Sequence, residues 1–563
     1  MFFAVARLVF CGWFLASVEG ATGDPELTII HFNDFHARYE PVNAKTSGVC
    51  HEGDTCVGGY ARLYSKMLEL KRNEPNALVV NAGDVFTGTI WFNLFKWNLT
   101  AEFMNLLPVD VQTLGNHEFD VGGPYGAINY LKLLHTPTVL SNVDAIEEPG
   151  LRPFLQKFII IEKNDLKIGV VGYVTTEYPT TEDTGDLVFE DELEETSKVI
   201  VELRKQNVDL VVAVSHTGYE KDKVIAESLD ADIIVGGHSH TLLYTGTPPL
   251  PGDKAQGLYP TVITQESGRQ TLIVQASAYS KYLGYLKVQF EKKNGRLQVK
   301  SWEGNPILLD ETVSIDPAIE AKLTPWRNEV NLIGSKEIGR TFVDFEKSPW
   351  ACHIGPCMIG RLITDAMIYE YVQQREGRSW TKAGVAVLQC GAIRSSIMHG
   401  NISYADLWNI LPFEDSYGMV ELNGQHFKEM LEFSVQHENS PFLQMSGVKA
   451  KFDFTKPVGQ RVSDIFVRCS TCSVPTYEPL LTHKYYRIIM AAYMYNGGDG
   501  YDLIKKRARF WSPGNLDVEI FFNYIKTFSP LIFELDENVS VKLTPEDVQR
   551  MKRAKGFDLE VYP

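Results

Sequence analysis

The chain has 563 residues, 44% of them hydrophobic and 22% charged, and carries a formal net charge of −17. That length accommodates two or three domains with sizeable cores, and the composition is globular. The acidic balance argues against a duplex nucleic-acid binder, whose affinity would rest on a basic face, although metal ions and a few arginines can still hold a small anion.

Residues 1–20 begin Met1-Phe2-Phe3-Ala4-Val5-Ala6-Arg7, run apolar from Leu8 to Leu15 and end in small residues at Gly20. This reads as a secretory signal peptide, so the mature chain is expected in an oxidising, extracellular setting. No later run reaches the roughly 18 apolar residues of a membrane span. The ending Phe557-Asp558-Leu559-Glu560-Val561-Tyr562-Pro563 lacks the hydrophobic tail of a lipid-anchor signal. No membrane anchor is expected.

From 24 to 315, short apolar runs alternate with stretches at helical spacing, such as Leu63, Met67 and Leu70. The alternation predicts layered α/β structure, with ligands gathered beyond the strand ends. Five runs end in metal-ligand or proton-transfer residue types. Ile29-Ile30-His31-Phe32 leads to Asp34 and His36, Leu78-Val79-Val80 to Asp84, and Val109 to Leu114 into Gly115-Asn116-His117-Glu118-Phe119-Asp120. Leu210 to Ser215 leads to His216, and Ile233-Ile234-Val235 to His238 and His240.

Pro317 suits a first helical position, and Ile319, Leu323 and Trp326 continue an amphipathic pattern, which predicts a linker helix over 316–334. A second domain, 335–563, has its own apolar runs at Val385 to Leu388 and Tyr486 to Met490. Of the eight cysteines, Cys11 lies in the signal. Cys50 with Cys56, Cys352 with Cys357, and Cys469 with Cys472 are spaced for local disulfides, leaving Cys390 without a partner. Asn98, Asn401 and Asn538 head glycosylation sequons.

The five strand ends together supply what a two-metal phosphoesterase needs: a carboxylate to bridge two cations about 3.5–4 Å apart, with imidazole, carboxylate and amide ligands on either side. His117, held by Asp120, is then placed to stabilise or protonate a leaving oxygen.

These motifs resemble the calcineurin-like metallophosphoesterase core of the 5'-nucleotidase family. The likeness continues through Leu411-Pro412-Phe413 and Asn496-Gly497-Gly498-Asp499-Gly500, and is strongest to the salivary apyrases and nucleotidases of blood-feeding arthropods. The resemblance implies a four-layer α/β/β/α metallophosphoesterase domain (24–315), the linker helix, and a C-terminal α/β nucleotide-binding domain (335–563). It implies two divalent metal ions, zinc first, with manganese, calcium or magnesium as alternatives. Asp34, His36, Asp84 and His240 would hold one ion, and Asp84, Asn116, His216 and His238 the other. His117 and Asp120 would be the catalytic pair. Phe413 and Tyr493 would sandwich the base, Asp499 would meet the ribose and Arg394 a phosphate, with His353 and Gln389 completing the substrate site.

Four positions depart from the vertebrate ecto-5'-nucleotidase pattern. His240 replaces Asn, Gln389 replaces Asn, and Cys390 and Ala392 replace glycines of one loop. At a further position, directly after the first cysteine of its pair, His353 stands where the family has Arg. The implied function is a secreted apyrase that removes extracellular ATP and ADP, in keeping with anti-platelet saliva. A 5'-nucleotidase acting on AMP is the alternative. A secreted binding protein on the same scaffold, with a nucleotide or a host protein as partner, is the remaining reading.

Overall fold

The computed structural model describes residues 24–44, 47–50, 53–120, 122–176, 184–293, 295–347, 351–375, 379–436, 442–532 and 539–544. The expected signal peptide and the Asn538 sequon lie outside these residues.

Two mixed sheets form the N-terminal unit. In the first, Glu26–Phe32, Leu78–Asn81, Val111–Gln112, Thr138–Val139 and Leu155–Gln156 run parallel, and Tyr282–Lys293 and Arg296–Gly304 extend the sheet antiparallel. In the second, Leu166–Val174, Leu210–His216, Ile233–Val235 and Gln270–Val274 are parallel between antiparallel edge strands. Side-chain alternation explains their stacking. Leu27 and Ile29 face the second sheet and share a core with Val170, Val212 and Ile234. Ile30 and Phe32 point the other way, onto Leu63 and Met67 of the helix Tyr60–Asn73. Ile200 and Leu203 of the helix Glu192–Lys205 cover the far face of the second sheet. The layers are therefore helix, sheet, sheet, helix.

The helix Pro317–Gly334 starts at an Asp316 N-cap, whose carboxylate accepts from Ala318 N at 2.8 Å. It buries Ile319, Leu323 and Val330. Beyond it, Leu443–Ser446, Val385–Gln389, Tyr485–Ala491, Tyr417–Asn423 and Trp511–Ser512 form a five-stranded mixed sheet. The helix Met358–Gln373 packs against it. The two units share one hydrophobic core, in which Phe86 and Ile90 join Leu407 and Ile410. Lys96 reaches Glu414 across the boundary at 3.1 Å.

Disulfides join Cys50 to Cys56, Cys352 to Cys357 and Cys469 to Cys472, while Cys390 is free and buried. Asn98 and Asn401 are both exposed.

Candidate active site

Parallel register brings the carboxyl ends of Glu26–Phe32, Leu78–Asn81 and Val111–Gln112 to one edge, facing the ends of Leu210–His216 and Ile233–Val235. The loops beyond these ends turn sharply. Asp34, His36, Asp84, His238 and His240 all have φ between 49° and 74°, a conformation costly for residues with a Cβ. Their strain is offset by a backbone lattice, with Asp34 N on Gly83 O and His36 N on Asp84 O at 3.0 Å each, and His238 N on the Asp34 carboxylate at 3.0–3.1 Å. Gly115 is required because a Cβ there would collide with the Asp84 carboxylate.

The ligand atoms converge. Asp34, His36 and His240 form one group with ligand atoms within 4.8 Å of one another, and Asp84, His216 and His238 form another. Asp84 Oδ2 lies 3.0 Å from His216 Nε2 and 3.6 Å from His36 Nε2, so it faces both. Asn116 Oδ1 completes the second group, 2.8 Å from His238 Nδ1.

Tautomers set which nitrogens point inward. Ala82 O accepts from Nδ1 of His216 at 2.6 Å, and Thr87 O from Nδ1 of His36 at 3.0 Å, which leaves both Nε2 atoms for the centre. Nε2 of His216 is buried there without a hydrogen-bond partner, although it lies 3.0 Å from Asp84 Oδ2 and 4.0 Å from Asp34 Oδ1. A nitrogen facing two carboxylates without a hydrogen bond calls for a positive charge between them.

The electrostatics agree. Burial would raise both carboxyls, but His240 and His216 hold Asp34 down to about 2, and His216, His117 and His36 hold Asp84 well below the usual range. Burial keeps His36 and His238 neutral, the latter lowered to about 3. Against its burial, Asp84 and Asp34 raise His216 to about 10, drawing a cation to that point. Ionised carboxylates, the neutral imidazoles of His36 and His238, and a His216 ring that would give up its proton to an incoming cation form the donor set a divalent ion needs, so these residues fit a metal pair.

His117 stands beside this centre. Its Nδ1 is 2.5 Å from Asp120 Oδ2, and its backbone N–H donates to Asp84 Oδ1 at 3.0 Å. Arg394 of the second unit donates Nη2–H to His117 Nε2 at 3.0 Å. Phe413 stacks on the same imidazole, centroids 5.4 Å apart and 20° from parallel, and the Arg394 guanidinium lies 5.0 Å above the Phe413 ring. Farther off, Tyr493 Oη donates to Asp499 Oδ1 at 2.9 Å, and Gln389 Oε1 is buried without a partner. His353 sits inside the disulfide loop of Cys352 and Cys357. Burial, with Lys347 and Arg394 nearby, lowers it to about 4, so it is neutral. A cavity of about 940 Å³ lies elsewhere, between Val49, Leu250 and Ser396 to Asp406, and includes none of these ligands. Size does not mark the site.

Three further residues of the site carry no clear signal in the sequence. Glu118 is fully buried and accepts four backbone N–H groups, from Gly115 (2.6 Å), Asp84 (3.1 Å), Val85 (2.8 Å) and Phe86 (3.1 Å), tying two ligand loops together. Burial and the Asp84 charge raise its carboxyl to about 7, with the Gly115 and Phe86 N–H groups opposing. Its position inside the Asn116–Asp120 run was the available signal. Glu118→Gln turns an amide N–H₂ toward backbone donors and is expected to cost about 2–4 kcal/mol of stability. It should also reduce bound metal. Thermal melting and metal analysis together check this, and a variant with wild-type melting would remove Glu118 from the role. The other two residues are Arg38, whose Nη1 donates to Asn409 Oδ1 at 2.5 Å, and Lys347.

Residues 27–242 match the calcineurin-like phosphoesterase family model, and 337–506 match the 5'-nucleotidase C-terminal domain. An apyrase of Tabanus yao is 38% identical over 90% of this chain and 92% of its own length. The chain belongs to the 5'-nucleotidase family. Human 5'-nucleotidase is 37% identical over 90% of this chain and 89% of its own. The crystal structure of a Thermus thermophilus 5'-nucleotidase precursor superposes with a TM-score of 0.83 at 30% identity, covering 92% of this chain and all of that one. This member is thus a metal-dependent hydrolase with a dinuclear site, and its relatives mark it as a nucleotide phosphohydrolase. No helix among the described residues is long and apolar enough to cross a membrane.

Proposed function

We propose that this chain is a secreted apyrase that releases orthophosphate from extracellular ATP and ADP, with zinc as both metal ions. The feature that carries the substrate choice is the neutral His353, at a position where the family resemblance implies an always-charged arginine. AMP has one phosphate, which must sit at the metal ligands while its base reaches the second unit, so AMP loses most from a missing cation. ATP and ADP carry further oxygens for charge-assisted contacts. The imidazole-rich donor set favours zinc.

Asp34, His36, Asp84 and His240 would hold one ion, and Asp84, Asn116, His216 and His238 the other. When bound, such a pair neutralises the phosphoryl charge and makes water nucleophilic near neutral pH. The chain's own groups supply the rest. Asp120 fixes the His117 ring through Nδ1, presenting Nε2 to the reacting phosphoryl, where it stabilises or protonates the leaving oxygen. Arg394 already contacts that Nε2 and would turn to a phosphoryl oxygen. Phe413 and Tyr493 would flank the base at about 1–3 kcal/mol each, tolerant of base identity, with Asp499 on the ribose and Gln389 offering its free carbonyl.

Hydrolysis of AMP is the second reading, since 5'-nucleotidases of cattle and human are 37% identical to this chain, against 38% for the apyrase. The His353→Arg variant tests the choice. It is expected to raise kcat/KM for AMP about tenfold and for ADP by less than threefold, the scale of one charged hydrogen bond. Equal gains on both substrates would reverse the choice between them.

A further inference from the structure

Three cations of the site have no ion-pair partner among the described residues. Arg38 is 3% exposed, has Nε and Nη2 without partners, and lies 4.7 Å above the Tyr279 ring, lining with His36, Arg394 and Phe413 a narrow pocket next to the metal ligands. The Arg394 guanidinium contacts His117 and the Phe413 face. Lys347 is the third, and nothing in its local sequence points to the site.

Chain pairing brings Lys347 there. Phe345 bridges antiparallel to Ile397, so Lys347, two residues on, stands across from Ser395, the neighbour of Arg394. Its backbone N–H is fixed on Ser396 Oγ at 2.8 Å. Phe345 is fully buried and Lys347, on the same side of the extended segment, is half-buried. Burial lowers its ammonium to about 8, with Cys390 opposing and Arg394 and Arg38 adding to the effect. Its charge in turn lowers His353, and the Cys390 thiol feels both Lys347 and Asp499. Lys347 thus stands beside the segment of Arg394, which reaches the catalytic His117, and shares the Cys390 loop as a neighbour with Asp499, whose carboxylate lies against Gly391 of that loop. In a chain of net charge −17, half-buried and buried cations kept apart from carboxylates are arranged for an anion.

We propose that Lys347 binds the phosphate between the one at the metal ligands and the nucleoside, supplying from a different segment the charge that His353 lacks, and so selecting di- and triphosphates over AMP. The inference rests on the ATP and ADP reading above. Three phosphates then have successive partners: the metal ligands with Arg394, next Lys347, and finally the nucleoside contacts.

Steady-state kinetics of the metal-loaded full chain test it, with Lys347→Met and Lys347→Arg beside the wild type. Lys347→Met should raise KM for ADP about tenfold or more, the scale of one charge-assisted contact, while kcat/KM for AMP falls less than threefold. Lys347→Arg should return KM for ADP to within threefold of wild type. Inorganic pyrophosphate and orthophosphate, used as inhibitors of p-nitrophenyl phosphate cleavage, give the same readout without a nucleoside: the pyrophosphate Ki should rise about tenfold and the orthophosphate Ki less than threefold. Equal losses on ADP and AMP, equal shifts of the two inhibitors, or an unchanged KM for ADP would each overturn the assignment. The wild-type ratio of ADP to AMP turnover judges the apyrase reading separately, because the Lys347 result is the ratio of variant to wild type for each ligand.

Discussion

Asp84→Ala is expected to abolish phosphate release and to leave at most one metal ion per chain, in a protein that still folds. Asp84 Oδ2 is the oxygen that faces both ligand groups, 3.0 Å from His216 and 3.6 Å from His36, and Oδ1 takes the backbone N–H of His117. A carboxylate shared between two cations offsets their repulsion, so its loss removes the reason for the second to stay. Folding should survive because the loop that carries Asp84 is held independently by Glu118 through the N–H groups of Asp84, Val85 and Phe86. Metal analysis that still finds two ions per chain would remove Asp84 from the bridging position.

His117→Ala should lower kcat by about 10²- to 10⁴-fold, the range for losing a positioned acid or electrostatic stabiliser, with a smaller change in metal content. Asp120→Asn should act through the same ring. An amide can still accept from Nδ1–H, but it no longer supports charge on the imidazole, so the loss should be smaller than for His117→Ala. In the double variant the effects should not multiply, because Asp120 has nothing to orient once the imidazole is gone. Multiplicative losses would show the two acting separately. Phe413 complicates the alanine variant, since its ring stacks on His117, and a melting curve of His117→Ala separates lost packing from lost chemistry.

That the donor residues gather at one edge was legible in the sequence because each lies just past an apolar run, while the period-2 burial of residues such as Ile29 and Ile30 tells which face of the sheet each side chain enters. The cysteine pairs were legible for a similar reason, as their spacing is local. Glu118 was hidden because its role depends on four N–H groups arriving from two loops, an arrangement that residue type does not announce. Arg38 was visible only as part of a motif, and its unpartnered nitrogens appear once Asn409 and Arg394 come from the second unit. Lys347 had no local signal, because its place follows from the bridge between Phe345 and Ile397. Phe413 was expected against a base, and the structure adds a contact the sequence could not give, its stacking on His117.

Phosphate release from ATP, ADP and AMP, followed with two metal ions per chain, then after chelation, then after metal is restored, tests both the dinuclear site and the substrate preference. ATP and ADP should be cleaved faster than AMP, all three activities should vanish on chelation, and the same order should return with the metal. Phosphate release that survives complete removal of the ions would contradict the dinuclear site built on Asp84, and AMP cleaved fastest would contradict the apyrase assignment.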